Sequence, residues 1–241
     1  MKRLLVVASL MTIGLTMGVG SAWGQENEKS GYAALDLFSN YVWRGQKLSD
    51  EWVVQPHTGF MYKSFGAELW ANYDTETEEH NETDLTLYYQ LSRNQIDIEA
   101  GYIYYGLDGE EDTQEIYGSF TLTNLFLTPK VTGYLDFDEG NGLYLEASVS
   151  HSHDLPRDMV LDLEALVSFN AENETTGSFT NFNTGELLAE LTVPLYQDFT
   201  LTTTLGYTFP LTDSAEDRIQ SRSYDGDTGH LYAGLGISVD F

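Results

Sequence analysis

The sequence predicts an all-β fold, a closed antiparallel transmembrane β-barrel of about 12 strands. Three observations predict it: an N-terminal export signal, about a dozen short segments in which apolar and polar residues alternate, and a last strand that ends in Phe241. Alternation with a period of two gives each strand one apolar face. Such strands can cross lipid only as a closed sheet, because unpaired backbone groups are costly there.

Residues 1–24 have the features of a secretory signal peptide. The segment starts with two basic residues, continues with a mostly apolar stretch and ends with small residues before Gln25. The apolar stretch is shorter than the roughly 20 residues of a spanning helix, although an uncleaved anchor is the alternative. We therefore expect export, cleavage, a short N-terminal tail at 25–30 and an outer-membrane barrel over 31–241.

Alternating segments fill the rest of the chain, and Phe65 to Tyr73 is a clear example in which every second residue is apolar. The first predicted strand alternates poorly, and the second contains Pro56, which cannot donate a hydrogen bond to its neighbour. The predicted strands are 31–43, 52–62, 65–74, 84–92, 95–106, 114–124, 130–138, 142–151, 159–169, 186–194, 198–209 and 230–241.

The predicted connections alternate between short and long, which is typical of outer-membrane barrels with periplasmic turns and external loops. Both termini are then periplasmic. Short turns are predicted at 63–64, 92–94 and 195–197, and long loops at 74–84, 106–113, 170–185 and 210–229. We expect the acidic residues of the first long loop to form a solvated surface; they are Asp74, Glu76, Glu78, Glu79, Glu82 and Asp84.

The C-terminal segment alternates back from Phe241 through Val239, Ile237 and Leu235. It resembles the terminal strand, with a final aromatic residue, that the barrel assembly machinery reads. A secreted soluble β-protein could also end on a strand. The export signal, the even strand number and the loop asymmetry together favour the membrane barrel.

The composition is strongly acidic, with 38 Asp and Glu against 11 Lys and Arg and a formal net charge of −27. This charge excludes sequence-independent binding to nucleic acid, which needs a basic surface. The absence of cysteine excludes disulfides and thiolate metal sites. Aromatic residues near strand ends are expected to form girdles at the membrane interfaces; they are Trp43, Trp52, Tyr73, Tyr89, Tyr104, Tyr207 and Phe209.

One stretch resembles a known family. Residues 39–45, Ser39-Asn40-Tyr41-Val42-Trp43-Arg44-Gly45, followed by Ser49-Asp50, resemble the N-terminal signature of the TorF-like porins, proteobacterial outer-membrane proteins of poorly known activity. The resemblance implies a small barrel with a pore role and no established substrate, and it supplies no catalytic residues. We expect Tyr41, Trp43 and Arg44 to be a girdle and strand-end feature that fixes the first hairpin, with substrate contact as the alternative.

The polar strand faces are expected to point into the lumen. The nine basic residues that follow the signal peptide are predicted in the tail, loops and turns, and none in the middle of a strand. Because acidic walls attract cations, we predict a narrow passive channel that prefers cations or small cationic solutes. The predicted pore-lining carboxylates are Glu68, Asp97, Glu99, Asp136, Glu146, Asp162, Glu164 and Glu190.

Other functions remain as alternatives. The barrel could be a closed structural or binding protein whose acidity reflects adaptation to salt. A lipid-modifying enzyme is less favoured, because there is no G-x-S-x-G stretch and the segment His151-Ser152-His153-Asp154 lies at a predicted turn. We expect no catalytic residues, no metal and no cofactor. The expected partners are outer-membrane lipid, lipopolysaccharide, the assembly machinery and small cations.

Overall fold

The computed structural model describes residues 29–241 and two short strands before them. These strands, β1 (Val6–Val7) and β2 (Gly18–Val19), pair antiparallel. The predicted signal peptide at 1–24 otherwise lies outside the described residues, and its cleavage stays a prediction. Among the described residues, no helix has the length and apolar character to cross a membrane.

Twelve long strands and a small hairpin follow. A helix, α1 (Asp213–Arg222), lies between the last two strands, and 3-10 turns occupy Pro156–Asp158 and Glu174–Thr176. The strands are β3 (Lys29–Phe38), β4 (Tyr41–Trp43), β5 (Gln46–Ser49), β6 (Val53–Tyr62), β7 (Phe65–Asp74), β8 (Glu79–Arg93), β9 (Ile96–Leu107), β10 (Thr113–Leu122), β11 (Thr128–Asp136), β12 (Gly142–Asp154), β13 (Val160–Ala171), β14 (Thr180–Pro194), β15 (Phe199–Pro210) and β16 (His230–Asp240).

The barrel is closed by antiparallel pairing of its first and last strands, β3 and β16. At this seam the Gly31 N–H donates to the Phe241 carbonyl at 2.8 Å, and the Phe241 N–H donates to the Gly31 carbonyl at 2.8 Å. The predicted closed barrel of 12 antiparallel strands is confirmed. Strand β3 begins at Lys29, slightly before the predicted position.

Side chains alternate across the barrel wall as the sequence predicts. In β7, Phe65, Leu69 and Tyr73 are exposed on the outer face, whereas Glu68 and Trp70 are buried on the inner face. Several predicted girdle aromatics are likewise exposed on the outside, namely Trp52, Tyr73, Tyr89 and Tyr207. An outer face of apolar side chains suits lipid, and a polar inner face suits a lumen.

The two ends of the barrel differ. We call the end with both seam residues, Gly31 and Phe241, the turn end, and the opposite end, which carries the hairpin and α1, the loop end. The expected long loop at 74–84 is much shorter, because β8 already begins at Glu79. Asp74, Glu82 and Asp84 are therefore buried on the inner face, and the expected solvated surface was wrong for these three residues.

Helix α1 was not expected from the sequence. Its Thr212 N-cap side chain accepts a hydrogen bond from the Ala215 N–H at 3.3 Å. Only Ala215 and Ile219 are buried in this helix. Two apolar contacts in ten residues give too weak a pattern for a sequence-based prediction.

Inward-facing glycines leave room for tyrosine rings that lie flat along the wall. A Cβ atom on Gly59 would come within 2.3 Å of the Tyr32 ring, and one on Gly206 within 2.1 Å of the Tyr232 ring. In each case the tyrosine crosses the glycine strand to reach a glutamate two strands away, Glu68 or Glu186 respectively. The glycines thus position hydroxyl donors beside buried carboxylates.

Gly206→Ala should destabilise the barrel by about 1–3 kcal/mol, because the new methyl group overlaps the Tyr232 ring. Gly118→Ala is the matched control, since its nearest atom is the Glu99 carbonyl oxygen at 3.9 Å. The measurement is the thermal unfolding midpoint of the barrel in detergent. Equal midpoints for the two variants would contradict this account.

Candidate functional site: the barrel interior

The segment between the first two barrel strands folds into the barrel. This segment, Tyr41 to Ser49, is called the hairpin, and it pairs β4 with β5. Its turn residues, Arg44 and Gly45, have φ values of +48° and +84°. Two residues with positive φ form the tight turn type that joins antiparallel strands. The turn presents Arg44 to the opposite wall of the barrel.

Arg44 forms a bidentate ion pair with Glu115 of β10. Its Nη1 and Nη2 atoms each donate to one carboxylate oxygen at 2.8 Å. Both side chains are 1% exposed. A planar guanidinium and a carboxylate match in geometry, so this pair fixes both the position and the orientation of the hairpin tip.

Aromatic rings surround the Arg44 guanidinium. Its Cζ atom lies 4.3 Å from the centre of the Tyr144 ring, 5.1 Å from that of Tyr134 and 4.7 Å from that of Trp43. The Tyr105 hydroxyl donates to Glu115 at 2.8 Å. These contacts give cation–π attraction and complete the hydrogen bonding of the carboxylate.

Two expectations about this segment were wrong. Tyr41, Trp43 and Arg44 do not form an outer girdle at a strand end, because the chain turns inward after Ser39 and Asn40. The interior is also not free of basic groups. Arg44 lies within it, and Lys130 is the third residue of β11 on the inner face. The Arg-Gly turn between two short alternating segments was the signal that could have revealed the hairpin.

The remaining signature residues attach the hairpin to the wall and to the loops. The Ser39 N–H donates to the Ala233 carbonyl at 2.8 Å, and the Asn40 side chain donates to the Leu231 carbonyl at 3.2 Å. The Ser49 hydroxyl donates to the Glu51 carbonyl at 3.3 Å, and Asp50 accepts from Lys47. The family-like signature therefore encodes the inward hairpin and its anchors.

The loop after α1 covers the hairpin. The Lys47 N–H donates to the Ser223 hydroxyl at 3.1 Å, and the Tyr224 N–H donates to the Lys47 carbonyl at 2.7 Å. The Lys47 ammonium also donates to Asp225 at 2.9 Å. The hairpin is thus held at its tip by the wall and at its base by the loop.

Charge pairing shifts the pKa values of both groups at this base. Burial lowers the pKa of Lys47, but hydrogen bonds to Asp50 and Asp225 outweigh burial and raise it above 10.5. Burial raises the pKa of Asp225, but hydrogen bonds from Lys47 and the Asp227 N–H outweigh burial and lower it below 3.8. The side chains of Lys47 and Asp225 keep 11% and 21% of their surface exposed, and screening by the solvent at this edge limits the contribution of the pair.

All eight predicted pore-lining carboxylates lie on inner strand faces. Three of them, Glu99, Glu146 and Glu164, interact electrostatically with Lys130. Asp136 has another role, since it accepts from the Thr113 hydroxyl at 2.8 Å at the loop end. Whether these residues line an open pore stays a prediction. Further inward carboxylates were not predicted as pore-lining; they include Asp36, Asp74, Glu82, Asp84, Glu115, Asp154, Glu186 and Asp240.

Tyrosine hydroxyls satisfy many of the interior glutamates. The Tyr117 hydroxyl donates to Glu99 at 2.7 Å, and the Tyr134 hydroxyl donates to Glu146 at 3.4 Å. Alternation of tyrosine and glutamate on inner faces was visible in the sequence, but which side chains meet depends on the register between strands. These bonds allow carboxylates to be buried without a basic partner for each.

The interior is closely packed at the loop end. Glu115, Tyr134 and Tyr144 are each 1% exposed, and Trp70 is 2% exposed. Asp97, Asp162 and Glu164, nearer the turn end, are partly exposed. The hairpin therefore fills the loop-end part of the lumen, and close packing also reaches toward the turn end, where Glu190 is 2% and Glu99 7% exposed.

The histidine segment contacts the neighbouring turn. His151 donates from Nδ1 to the Phe126 carbonyl at 2.7 Å, and its ring lies 4.5 Å from that of Phe126. Within residues 29–241, no group of three or more His, Asp or Glu is arranged to hold a metal ion. His151 is thus a structural contact at the turn end.

The barrel is similar to solved outer-membrane porins. It matches a KdgM porin at 11% identity and a TM-score of 0.57, over 88% of this chain and 99% of that one. It matches a NanC porin at 11% identity and a TM-score of 0.54, over 85% and 98%. An outer-membrane channel from Pseudomonas putida F1 matches at 9% identity and 0.50, over 90% and 96%. These are porins and channels rather than enzymes.

No family model and no curated protein matches the sequence. The structural likeness therefore establishes the porin-type fold, and the resemblance to the TorF-like family stays a prediction. The fold likeness carries no residue roles, because the identities are near 10%.

Arg44→Ala should lower the free energy of unfolding by about 3–5 kcal/mol, because Glu115 is left buried and unpaired. Adding Glu115→Gln should recover part of this loss, since the unpaired charge is removed. The measurement is a double-mutant cycle from urea unfolding in detergent, with exposed Arg93→Ala as the control. Simple additivity of the two single losses would refute the coupling.

Acid should weaken the base of the hairpin. Because the pKa of Asp225 is lowered on folding, its contribution is present above 3.8 and is lost as the pH falls through the folded value. At pH 6 the segment 211–229 should exchange amide hydrogens more slowly in the wild type than in Asp225→Asn. At pH 2.5 the difference should shrink. A difference that is constant with pH, measured by mass spectrometry, would argue against this ion pair.

Proposed function

We propose that this chain is an outer-membrane channel for small cations, closed at rest by its own hairpin. The observation that carries the proposal is the charge of the interior. Within residues 29–241, more than a dozen carboxylates lie on inner strand faces, whereas Arg44 of the hairpin and Lys130 of β11 are the Lys or Arg side chains in the interior. Acidic walls attract cations and repel anions.

The outer surface supports insertion in lipid. Exposed apolar side chains such as Leu69, Leu87, Leu187 and Leu235 recur on the outward strand faces, and exposed tyrosines lie among them. In the proposed orientation the loop end faces outward, toward lipopolysaccharide, and both termini face the periplasm. The last strand, ending in Phe241, is proposed as the segment that the barrel assembly machinery reads.

The proposed solutes differ in charge from the ligand found with one structural neighbour. The KdgM porin has been solved in complex with disordered oligogalacturonate, a polymer of sugar acids. A wall rich in carboxylates, including Glu99, Glu146 and Glu164, repels such a ligand. The charge of this interior therefore favours inorganic cations and small cationic solutes.

Conduction requires the hairpin to move. The packed layer around Arg44 and Glu115 leaves those two side chains almost without solvent exposure. The wall strands are hydrogen-bonded to each other and do not depend on the hairpin for their pairing. Displacement of the hairpin can thus open the loop end while the barrel stays intact, and the channel should open intermittently.

The close packing at the loop end also favours a second candidate, a closed structural or binding barrel. In that case the acidity reflects adaptation to salt. Carboxylates on the loops and carboxylates in the interior then serve the same purpose, and neither set selects ions. The two candidates differ in a measurable way. The closed barrel conducts no ions even when the Arg44–Glu115 pair is removed.

The test is the reversal potential across a planar bilayer in a KCl gradient. We expect preference for K⁺ in the wild type and a loss of most of that preference in the interior triple variant Asp97→Asn, Asp162→Asn, Glu164→Gln. The matched control neutralises three exposed carboxylates of the loop end, Glu78, Glu79 and Glu110. Anion preference in the wild type would contradict the proposal.

Equal losses of preference in the interior variant and in the loop variant would favour general surface acidity instead. Absence of current in both the wild type and the double variant Arg44→Ala, Glu115→Gln would establish the closed barrel. The double variant should conduct more often than the wild type, because the hairpin tip has lost its partner.

A further inference from the structure

The barrel wall contains a receptor for a guanidinium group. We call it the guanidinium site, and it consists of Glu115 with Tyr105, Tyr134 and Tyr144, which lie on four consecutive strands, β9 to β12. None of these residues belongs to the hairpin. The site is therefore part of the barrel wall. Arg44 reaches it from the hairpin, which is not one of the twelve wall strands.

Wall residues alone preorganise this site. The Tyr105 hydroxyl holds one oxygen of Glu115 at 2.8 Å. The Asn183 side chain donates to the Tyr144 hydroxyl at 3.1 Å and so fixes that ring. The same Asn183 amide also donates to the Arg44 carbonyl at 3.2 Å. When the hairpin leaves, Glu115 keeps its bond from Tyr105 and the Tyr144 ring keeps its bond from Asn183.

The site is selective for a planar, forked cation. Two parallel bonds of 2.8 Å join the nitrogens Nη1 and Nη2 to the two oxygens of Glu115. The rings of Tyr134 and Tyr144 add contacts at 5.1 and 4.3 Å from the guanidinium carbon. A primary ammonium is a point charge and cannot reproduce the fork, so it should bind less tightly.

Arg44 is a replaceable occupant of the site. Its Nε atom is buried and has no hydrogen-bond partner among the described residues. Its backbone has a φ of +48°, which is unfavourable for a residue with a side chain. A buried ion pair adds little net stability, because desolvation offsets attraction. A free guanidinium can therefore compete with Arg44.

We propose that the guanidinium site binds the guanidinium group of a small solute in place of Arg44, and that this exchange releases the hairpin tip. The inference rests on the proposed channel function and names both its substrate class and its regulation. Arg44 is then an internal mimic of the solute. The excess of interior carboxylates raises the local concentration of such cations.

Binding is tested first, without any requirement for conduction. The probe is ethylguanidinium, with propylammonium as a control of similar size, titrated calorimetrically into the folded full-length barrel in detergent. Arg44→Ala should bind ethylguanidinium at least about tenfold more tightly than the wild type, since the internal competitor is gone. It should prefer ethylguanidinium over propylammonium by about tenfold.

The double variant Arg44→Ala, Glu115→Gln should lose this binding, and Arg93→Ala should behave as the wild type. If Arg44→Ala alone folds poorly, the double variant can still be measured, because it carries no unpaired buried charge. Retention of ethylguanidinium binding in the double variant would overturn the site. Equal affinity of Arg44→Ala for the two probes would overturn the selectivity for a guanidinium.

Single-channel recording then separates this inference from the channel proposal. Ethylguanidinium should increase the fraction of time that the wild-type channel is open, and it should not do so in the double variant. Guanidinium binding to Arg44→Ala, with no current in either the wild type or the double variant, would support the site and refute the channel. Cation current without guanidinium binding in Arg44→Ala would support the channel and refute the site.

Discussion

The ion pair between Arg44 and Glu115 determines how the interior of this barrel is filled. A carboxylate that is 1% exposed requires a partner, and a bidentate guanidinium is the partner that matches its geometry. That requirement draws the hairpin across the lumen, and the inserted hairpin in turn provides Lys47 as a support for the loop after α1. The closed loop end thus follows from one buried charge on the wall.

The other interior carboxylates are stabilised mainly by tyrosines rather than by basic residues. Glu68, Glu99 and Glu186 each accept a hydrogen bond from a tyrosine hydroxyl. A tyrosine fills space, donates one hydrogen bond and carries no charge, so it supports a carboxylate and leaves the field of the lumen negative. This pairing accounts for the acidic residues and tyrosines of the interior, while the exposed aromatic residues lie on the outer face.

The fold was predictable because each wall strand of a membrane barrel alternates apolar and polar residues with a period of two. The alternation in β7, the short turns and the last strand ending in Phe241 were each sufficient to place an element. The hairpin was not predictable to the same degree, since the poorly alternating first strand was predicted to run on through Trp43, whereas β3 ends at Phe38. The inward position of Glu82 and Asp84 was missed because acidic alternation resembles a solvated loop. Pairing of Arg44 with Glu115 joins positions 71 residues apart, which no local pattern encodes.

The balance of forces on the hairpin favours movement over rigid closure. The wall is held by continuous ladders of backbone hydrogen bonds, including the seam between β3 and β16. The hairpin tip depends instead on a buried ion pair, whose attraction is largely offset by desolvation, and on a residue with positive φ. Its release therefore changes the free energy far less than opening the wall would, because no ladder bond of the barrel is broken. In an acidic lumen that is closed by one displaceable cation, a cationic solute can consequently displace that cation and open the path through which it passes.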